Sequence, residues 1–589
     1  MSESVDSGLG PKTFRQCREK FETKSWDCSF NNLVFTNEMK KHKYIFVIGG
    51  VMSGVGKGVT TSSIGKILQA RGFVINPIKI DPYLNVDAGT MNPIEHGEVF
   101  VLDSGLECDQ DMGNYERFLD ISIPGENYMT SGMVYKYLID KERALGFGGK
   151  CVDPIPALPN EIMRRIQRST EKTKSDITII EVGGTVGEYQ NAIFFEAARI
   201  MKLKNPEDVL FVLVSYLPVP GKIGEMKTKP TQYAVRTLNS YGIHPNIIVA
   251  RSDRPLDKTR KEKIAFSSNV PTENIISAPD VDSIYDIPLN FEKDDLSTTL
   301  LKLLKLKPKQ TDMKEWRAMV ARNHSVKGEV NIAIVGKYFK TGDFVLSDVY
   351  ISVIESLKHA AIAVGKKLKI DWLDSGDYED DDKKLKDLKK YDGVLVPGGF
   401  GSRGVEGKIN VIEYVRKNKI PYFGLCYGMQ LAVIEYARHI LKLDKANTVE
   451  IDPDTKYPVI DIMPDQKQKI KEGNMGGSMR LGAYLAKLKE GTIAFEAYKQ
   501  KGNLSSDRQI SERHRHRYEV NPEFIKQIES AGGVFSGISP DGKLMEIFEL
   551  PKIEHPFFLG TQFHPEFKST PLNPHPLFVA FVKASSSKK

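Results

Sequence analysis

The stretch KYIFVIGGVMSGVGKG, residues 43–58, decides the fold of the first half of this chain. An apolar run at residues 44–48 predicts a buried strand, and residues 59–71 follow a helical pattern. Glycines in the loop between them let backbone N–H groups close around phosphate, while the helix N-terminus and Lys57 add positive charge. A purely structural glycine-rich turn is the alternative. Strand, loop and helix together favour a nucleotide-binding loop.

The loop departs from the usual phosphate-binding pattern in two ways. Five residues, not four, separate Gly50 from Gly56, and Gly58 stands where a Ser or Thr would hold magnesium. The metal must therefore find other ligands, and carboxylates are the natural choice. Asp111 and Glu181 are candidates, since Glu181 ends an apolar run where open α/β sheets bind ligands. A cap or turn role is the alternative for both, and simple exposure is the alternative to phosphate binding for Lys79.

Outward from this stretch, short apolar runs alternate with helical patterns, which predicts a parallel α/β sheet. These runs lie at 73–78, 177–182, 209–216 and 247–250. A lysine-rich helical segment follows, and the α/β pattern then restarts with strands predicted at 330–338, 368–374, 393–399 and 420–426 and a helix at 345–364. We predict an N-terminal extension (1–42), a first α/β domain (43–300), a linker (301–327) and a second α/β domain (328–589).

Composition excludes several classes of protein. The 589 residues are 40% hydrophobic and 27% charged, as in soluble multidomain proteins. A net charge of +7 is too small to argue for nucleic acid. The five cysteines fit no disulfide framework or metal cluster, which favours a reducing compartment. No apolar run reaches membrane-spanning length, and acids near the N-terminus argue against a transit peptide, so we expect a cytoplasmic protein.

The second domain contains a cysteine at a strand-to-helix turn. In GLCYGMQ, Gly424 and Gly428 flank Cys426 and permit a tight nucleophile elbow at a helix N-terminus, where a thiolate is favoured. His564 can serve as its base, with Glu566 two residues later to orient the imidazole. The loop PGGFG at 397–401 can offer a backbone N–H to an oxyanion. A cysteine buried by chance is the alternative.

These motifs resemble those of two known families. GLCYGMQ with FHPEF is similar to the signature of the triad (class I) glutamine amidotransferases. The strings KIDPYLNVDAGTMNPIEHGEVFV, EVGGTVG, KTKPTQ and RSDR, with the glycine-rich loop, resemble the CTP synthases over residues 44–583. The resemblance implies a P-loop-like synthase (amidoligase) domain and a flavodoxin-like amidotransferase domain. ATP would phosphorylate the uracil 4-oxygen of UTP, and ammonia from glutamine would displace that phosphate.

The resemblance also implies roles for individual residues. ATP would contact Ser53, Gly54, Val55, Gly56, Lys57, Gly58, Val59, Lys79, Arg251, Pro279, Asp280 and Val281. UTP, and CTP as feedback inhibitor, would contact Ser53, Glu188, Tyr189, Gln190, Lys227, Lys229, Gln232 and Lys263. Mg²⁺ would bind Asp111 and Glu181, and the triad would be Cys426, His564 and Glu566. Glutamine and its oxyanion would contact Gly399, Tyr427, Gly428, Met429, Gln430, Glu450 and Arg517.

Two further expectations come from the family. GTP is expected to activate the enzyme, and a homotetramer, with filaments as a further possibility, is its expected assembly. Two stretches depart from the family pattern: Glu188-Tyr189-Gln190 replaces Asp-Ile-Glu at the CTP site, and 452–474 differs in content.

Three alternatives belong to other classes. The basic run at 507–517 could bind nucleic acid, but it lacks interleaved aromatic residues. A related ATP-dependent amidoligase, such as a cobyrinate amidase, has lost the nucleophilic cysteine, whereas this chain retains Cys426. A structural filament protein would not need two complete sets of catalytic residues. We therefore expect small-molecule substrates, with no nucleic acid and no membrane as partners.

Overall fold

The computed structural model describes residues 42–50, 52–221, 224–336, 347–379, 382–399, 401–463 and 479–587. The predicted N-terminal extension lies outside the described residues, apart from His42. The same holds for residues 464–474, the second half of the stretch that departs from the family pattern.

The first half alternates strands and helices, as predicted. Its strands are β1 (Lys43–Gly49), β2 (Ile75–Asp81), β3 (Val99–Val101), β4 (Glu107–Asp109), β5 (Tyr128–Thr130), β6 (Ile177–Val182), β7 (Val209–Tyr216), β8 (Ile247–Ser252) and β9 (Ile275–Pro279). Its helices are α1 (Lys57–Gln69), α2 (Pro93–His96), α3 (Asp111–Leu119), α4 (Ser131–Arg143), α5 (Pro154–Thr173), α6 (Ala192–Lys204), α7 (Lys229–Ser240), α8 (Lys258–Ser268), α9 (Ile287–Glu292) and α10 (Leu296–Leu304).

Seven of these strands form a parallel sheet in the order β5-β2-β6-β1-β7-β8-β9. Helices cover both faces of this sheet, so its strands are buried on both sides. Their mostly apolar sequences are typical of parallel sheets. The predicted strands 177–182 and 209–216 are confirmed to the residue. The helix predicted at 59–71 begins two residues earlier, at Lys57. The strands β3 and β4 form a separate antiparallel pair.

The region predicted as a linker is helical, and its first part packs against the core of the first half. Leu296, Leu300 and Leu304 of α10 pack into the core beneath the parallel sheet. Helix α11 (Lys314–Ser325) follows, and its Trp316 is buried against Phe118 of the first half. The two halves therefore share packed structure along this segment.

The second half contains the remaining elements. Its strands are β10 (Glu329–Gly336), β11 (Lys367–Asp374), β12 (Gly393–Val396), β13 (Tyr422–Leu425), β14 (Ala446–Thr448), β15 (Tyr457–Ile462), β16 (Arg480–Leu488), β17 (Gln509–His516), β18 (Tyr518–Val520), β19 (Val534–Ile538), β20 (Met545–Glu549) and β21 (Phe558–Thr561). Its helices are α12 (Ile351–Val364), α13 (Asp382–Lys386), α14 (Val405–Lys417), α15 (Tyr427–His439), α16 (Ile493–Lys501), α17 (Pro522–Ser530) and α18 (Pro576–Ser586).

Nine strands form the second sheet in the order β11-β10-β12-β13-β21-β20-β19-β16-β17. The first five are parallel, as predicted, and the last four pair antiparallel. The helix predicted at 345–364 starts at Ile351, after a 3₁₀ turn at Ser347–Tyr350; residues 345–346 lie outside the described part. The nucleophile turn follows β13 in the middle of the parallel part.

Candidate active sites

The glycine-rich loop lies at the carboxyl end of β1, the central strand of the first sheet. Gly54 and Gly56 have φ angles of 69° and 85°, a conformation that glycine adopts readily. A Cβ on Gly56 would lie 2.6 Å from Nη1 of Arg251, so the loop passes close beneath that guanidinium. The loop leads into the N-terminus of α1, which favours phosphate. It carries the predicted ATP-binding residues Ser53, Gly54, Val55, Gly56, Lys57, Gly58 and Val59.

Steric crowding explains why position 58 is a glycine and not a serine or threonine. A Cβ on Gly58 would lie 1.9 Å from Oδ1 of Asp111 and 2.4 Å from its Cγ. The carboxylate of Asp111, at the start of α3, thus fills the space that a serine or threonine side chain would need. A carboxylate oxygen thus lies at the point of the loop where the usual pattern has a hydroxyl oxygen.

Four carboxylates surround the ammonium group of Lys79 on β2. Its Nζ lies 2.5 Å from Oδ2 of Asp111, 2.9 Å from Oε1 of Glu181, and 3.7 Å from both Asp81 and Asp109. The sequence predicted Lys79, Asp111 and Glu181 but missed the other two acids. Spacing could have found Asp81, because it follows Lys79 by two residues on β2 and residues two apart on a strand share a face. Asp109 ends β4, whereas Asp111 begins α3, so no strand spacing relates these two acids.

The electrostatics of this cluster fit a divalent cation. Burial alone would lower the pKa of Lys79, but Asp111 and Glu181 outweigh burial and raise that pKa well above its usual value. Burial raises the pKa of Asp81 to about 8, against the opposing effect of Lys79. One ammonium facing four carboxylates leaves excess negative charge on hard oxygen atoms, which are the ligands that Mg²⁺ prefers.

A second lysine, Lys57 at the start of α1, also lies close to this cluster. Nζ of Lys57 donates a 2.8 Å hydrogen bond to the carbonyl oxygen of Gly184, in the turn after β6. Burial lowers the pKa of Lys57, although the carboxylates of Glu181 and Asp111 oppose that shift. Both Lys57 and Lys79 are buried and close to the loop, which suits charges that neutralise a triphosphate.

The predicted adenine-side residues meet at the carboxyl ends of β8 and β9. Nη2 of Arg251 donates a 2.7 Å hydrogen bond to Oδ1 of Asp280. Pro279 ends β9, and Val281 packs partly against the core of the first sheet. Because Arg251 also lies over Gly56, this pocket adjoins the phosphate loop.

The predicted pyrimidine-nucleotide lysines lie around the start of α7 and on α8. Nζ of Lys227 donates a 2.5 Å hydrogen bond to Glu225, and Lys263 and Arg260 add to the positive charge around that carboxylate. The hydrogen bond from Lys227 is the main reason that the pKa of Glu225 is lowered. Lys229 begins α7, and the side chain of Gln232 donates to Thr228. The sequence missed Arg260, which has the charge and location of the predicted lysines.

The stretch that departs from the family pattern forms a small hydrogen-bonded turn after β6. Oε1 of Glu188 accepts hydrogen bonds from the backbone N–H and the hydroxyl of Thr185. Nε2 of Gln190 donates a 2.8 Å hydrogen bond to the other oxygen of Glu188. Tyr189, between them, is 95% exposed. The Gln190 amide therefore donates to the Glu188 carboxylate, which Thr185 also holds in the turn.

The second site is a nucleophile elbow between β13 and α15. Cys426 adopts φ 48° and ψ −98°, a conformation that a non-glycine residue holds only when its surroundings enforce it. A Cβ on Gly428 would lie 2.3 Å from the carbonyl oxygen of Val396, and one on Gly424 would lie 2.7 Å from the backbone of Gly428. Both glycines are therefore required for the turn that aims the Cys426 side chain at the edge of the sheet.

His564 and Glu566 lie beside this cysteine. Nδ1 of His564 and Oε1 of Glu566 are 2.7 Å apart, and both side chains are buried. Burial alone would lower the pKa of His564, but Glu566 and Cys426 outweigh it and raise the pKa to about 10. A Cβ on Gly398 would lie 3.0 Å from the ring of His564, which places the PGG loop against the triad. The three residues predicted as a triad are brought together.

The predicted glutamine-binding residues surround the elbow. Oε1 of Glu450 accepts a 2.9 Å hydrogen bond from the backbone N–H of Gly401, and the hydroxyl of Tyr427 donates to the carbonyl of Gly401. Met429 packs against Gly560 of β21. Nε2 of Gln430 donates to the carbonyl oxygen of Tyr518, 3.0 Å away. Gly399 and Arg517 line the cavity on which Cys426 opens.

That cavity joins the two halves of the molecule. It has a volume of about 300 Å³, and its walls include Gly89, Glu98 and Val99 from the first half and Cys426, His564 and Arg517 from the second. The backbone N–H of Ser352, in the first turn of α12, donates to the Glu98 carboxylate. Burial raises the pKa of Glu98 to about 7. A carboxylate of the first half thus caps a helix of the second.

Strand β17 provides the charged contacts between the halves. Arg513 is 1% exposed and donates to Glu116 of α3 at 2.7 Å and to Asp103 at 2.6 Å. Nε of Arg515 donates to Glu107 of β4 at 2.8 Å. Acids of the first half therefore pair with two arginines of the basic run at 507–517. The same short segment, β4 and α3, carries Asp109 and Asp111 of the carboxylate cluster.

Comparison with known proteins gives matches to both halves. Residues 43–306 match the family model described as CTP synthase N-terminus, and residues 345–584 match the one described as glutamine amidotransferase class-I. The chain is 50% identical over 549 residues to a CTP synthase of Pyrococcus abyssi, covering 93% of this chain and 98% of that protein. It is 49% identical to a CTP synthase of Thermococcus gammatolerans, with coverages of 93% and 99%.

Solved structures that are similar to this chain include the glutaminase domain of Trypanosoma brucei CTPS with bound acivicin. It is 37% identical, and the match covers 44% of this chain and 95% of that one, with a TM-score of 0.40. Among the helices of the described residues, none combines the length and the apolar character needed to cross a membrane.

Proposed function

This chain belongs to the CTP synthase family, and we propose that its two sites divide the family's reaction between them. The enzyme is a glutamine-hydrolysing ligase that converts UTP, ATP and glutamine to CTP, ADP, phosphate and glutamate. The first site activates UTP, and the second releases ammonia. The main support for this division of the reaction between two sites is the cavity of about 300 Å³. Residues of both halves line it, and Cys426 opens on it.

In the first site, ATP lies along the glycine-rich loop with its adenine beside Arg251 and Asp280. Lys57 and Lys79 hold the phosphates, and Asp111 and Glu181 hold Mg²⁺. When bound, Mg²⁺ neutralises charge on the phosphoryl group during its transfer to the uracil 4-oxygen. Lys227, Lys229, Gln232 and Lys263 bind the UTP triphosphate, and Ser53 contributes to both nucleotide sites.

In the second site, His564 holds the proton taken from the Cys426 thiol, and the thiolate attacks the amide carbon of glutamine. Glu566 holds the imidazole and stabilises its protonated form. The backbone N–H of Gly399 stabilises the oxyanion. His564 returns the proton to the leaving nitrogen, which departs as ammonia, and water then hydrolyses the thioester to glutamate. Tyr427, Gly428, Met429, Gln430, Glu450 and Arg517 hold the substrate.

Regulation and assembly are proposed from the family. GTP activates ammonia release, CTP competes with UTP through the shared triphosphate lysines and the turn Glu188-Tyr189-Gln190, and the chain assembles as a homotetramer that can form filaments. A cytoplasmic location is consistent with these small-molecule substrates.

Replacing Cys426 by alanine tests whether UTP activation and ammonia release take place at separate sites. The variant loses the sulfur that forms the thioester but keeps the first site, so glutamine-dependent CTP formation should fall by several orders of magnitude. CTP formation from ammonium salt, followed with UTP, ATP and Mg²⁺, should stay near the wild-type rate. Loss of the ammonia-dependent activity as well would contradict the assignment of Cys426 to glutamine hydrolysis alone.

A further inference from the structure

The sulfur of Cys426 has a polar neighbour that the triad does not include. Gln562, one residue after β21, is fully buried, and its Nε2 lies 3.7 Å from Sγ of Cys426. The carbonyl oxygen of Arg515 is 3.8 Å from the same sulfur and can accept the thiol proton. A carbonyl oxygen cannot stabilise a thiolate, whereas an amide N–H can. Of these two groups, only Gln562 is suited to the ionised cysteine.

The orientation of the Gln562 amide follows from its neighbours. The carbonyl oxygen of Tyr518 can only accept, so Gln430 must direct its NH₂ group toward it, at 3.0 Å. The same NH₂ group lies 3.3 Å from the Gln562 side chain, which must therefore present its oxygen. The NH₂ group of Gln562 is then left to face the sulfur. This chain of donors and acceptors therefore fixes which way the Gln562 amide faces.

The backbone holds Gln562 in this position. Its N–H donates a 2.8 Å hydrogen bond to the carbonyl oxygen of Glu546 on β20, and the N–H of Cys426 donates to the carbonyl of the adjacent Thr561. The amide and the nucleophile are therefore both fixed to the end of β21. The donor is in place before substrate arrives, and no rearrangement is needed when the thiol ionises.

We propose that Gln562 is a catalytic residue of the glutaminase reaction, whose amide donates a hydrogen bond to the Cys426 thiolate. The proposal rests on the proposed function, since it assigns a role within the same site. Gln562 supports the ionised sulfur twice: when His564 removes the thiol proton, and when hydrolysis of the thioester releases the thiolate. A hydrogen bond to a charged group is stronger than one to a neutral group, so the contact favours the thiolate over the thiol.

Charged groups also face this sulfur and contribute to its ionisation. His564 lies beside it, with Glu566 behind the imidazole. Arg515, Arg517 and the Glu98 carboxylate line the same cavity. A variant that changes only the amide leaves all of these in place, so its effect can be separated from theirs.

The test uses the full-length enzyme with Gln562→Met, which has similar size but no donor, and Gln562→Glu, which puts a carboxylate at the sulfur. Gln69→Met serves as the matched control, because it removes an amide that donates to a backbone carbonyl at the far end of α1. The rate of Cys426 alkylation by iodoacetamide is measured from pH 5 to 10 without substrates. Glutaminase kcat is measured alongside, and ammonia-dependent CTP formation reports on the fold.

We expect the pH midpoint of alkylation to rise by about one unit in Gln562→Met, which is about a tenfold loss of alkylation rate at pH values below the wild-type midpoint. The shift should be larger in Gln562→Glu and absent in Gln69→Met. Glutaminase kcat should fall at least tenfold, while ammonia-dependent CTP formation stays unchanged. An unchanged midpoint in both Gln562 variants overturns the proposal. Failure of the wild type to hydrolyse glutamine would instead overturn the proposed function, so the two failures are distinguishable.

Discussion

Restoring the hydroxyl that the phosphate loop lacks should inactivate the first site. In Gly58→Ser the new Cβ would lie 1.9 Å from Oδ1 of Asp111, whereas ordinary contacts begin at 3.4 Å. The carboxylate must retreat by about 1.5 Å. Its Oδ2 is held by Lys79 and its Oδ1 by the side chain of Asn114, so retreat breaks both contacts.

The size of the effect follows from these contacts. Removing one partner from a buried ion pair costs about 3 kcal/mol, and a catalytic group displaced by about 1 Å can lose a hundredfold in rate. Because each 1.36 kcal/mol is tenfold, both arguments predict that UTP phosphorylation falls by about two orders of magnitude. The loss arises from the Cβ, so Gly58→Ala should lose as much as Gly58→Ser.

The assay is CTP formation from UTP, ATP, Mg²⁺ and ammonium salt, with basal glutamine hydrolysis as the control for folding. The alanine and serine variants differ only in the hydroxyl. Equal losses in the two variants support the steric account. If Gly58→Ser keeps its activity while Gly58→Ala loses it, the hydroxyl has replaced Asp111 as an oxygen ligand, and the reasoning is refuted.

Three further predictions concern other residues. Asp111→Asn should abolish ATP-dependent CTP formation while basal glutaminase activity remains; full synthase activity in this variant would exclude the proposed metal role. Gln190→Glu loses the hydrogen bond to Glu188 and places two carboxylates side by side, so the new carboxylate should turn toward the nucleotide. CTP inhibition should then tighten about fivefold at unchanged UTP affinity, because a carboxylate binds a ribose hydroxyl more strongly than an amide does; an unchanged inhibition constant means that this side chain does not touch CTP. Glu566→Gln should reduce the free energy of unfolding in a pH-dependent way. The raised pKa of His564, about 10 against a usual 6.5, means that its charged pair with Glu566 stabilises the fold fully below pH 6.5 and less as pH rises toward 10. Urea denaturation should therefore show the gap between variant and wild type closing above pH 7, and a constant gap would argue against a charged pair.

The parallel parts of both sheets were predictable because their strands are buried on both faces. Continuous apolar runs such as 177–182 and 209–216 can then be located from sequence alone. Strand β17 could not be found in this way, since its sequence, QISERHRH, has almost no apolar residues. Its arginines are buried only because acids of the first half pair with them, and no local pattern contains those partners.

In the candidate sites, too, features set by local sequence could be predicted, and contacts between distant residues could not. Glycines around Cys426 mark the elbow locally, and the motif with His564 and Glu566 is short and specific, so the triad could be predicted. The acids around Lys79 come from β2, β4, α3 and β6, and the sequence analysis found only two of the four. Asp81 shares a face of β2 with Lys79 and could have been found from its spacing, but an acid at the end of a strand is common, and only the fold shows that Asp109 converges on the same lysine.

The charged contacts between the halves affect how the two activities would behave on separate polypeptides. Buried ion pairs such as Arg513 with Glu116 orient partners well but add little net affinity, because desolvation offsets their attraction. The covalent connection through α10 and α11 then acts as a tether that keeps each half at a high effective concentration near the other. Placed on separate polypeptides, the halves would lose this tether and keep only the direct contacts between them, such as that of Phe100 with Phe567. A freed second half would hydrate its exposed arginines readily and would release ammonia to solvent, with no nucleotide to receive it.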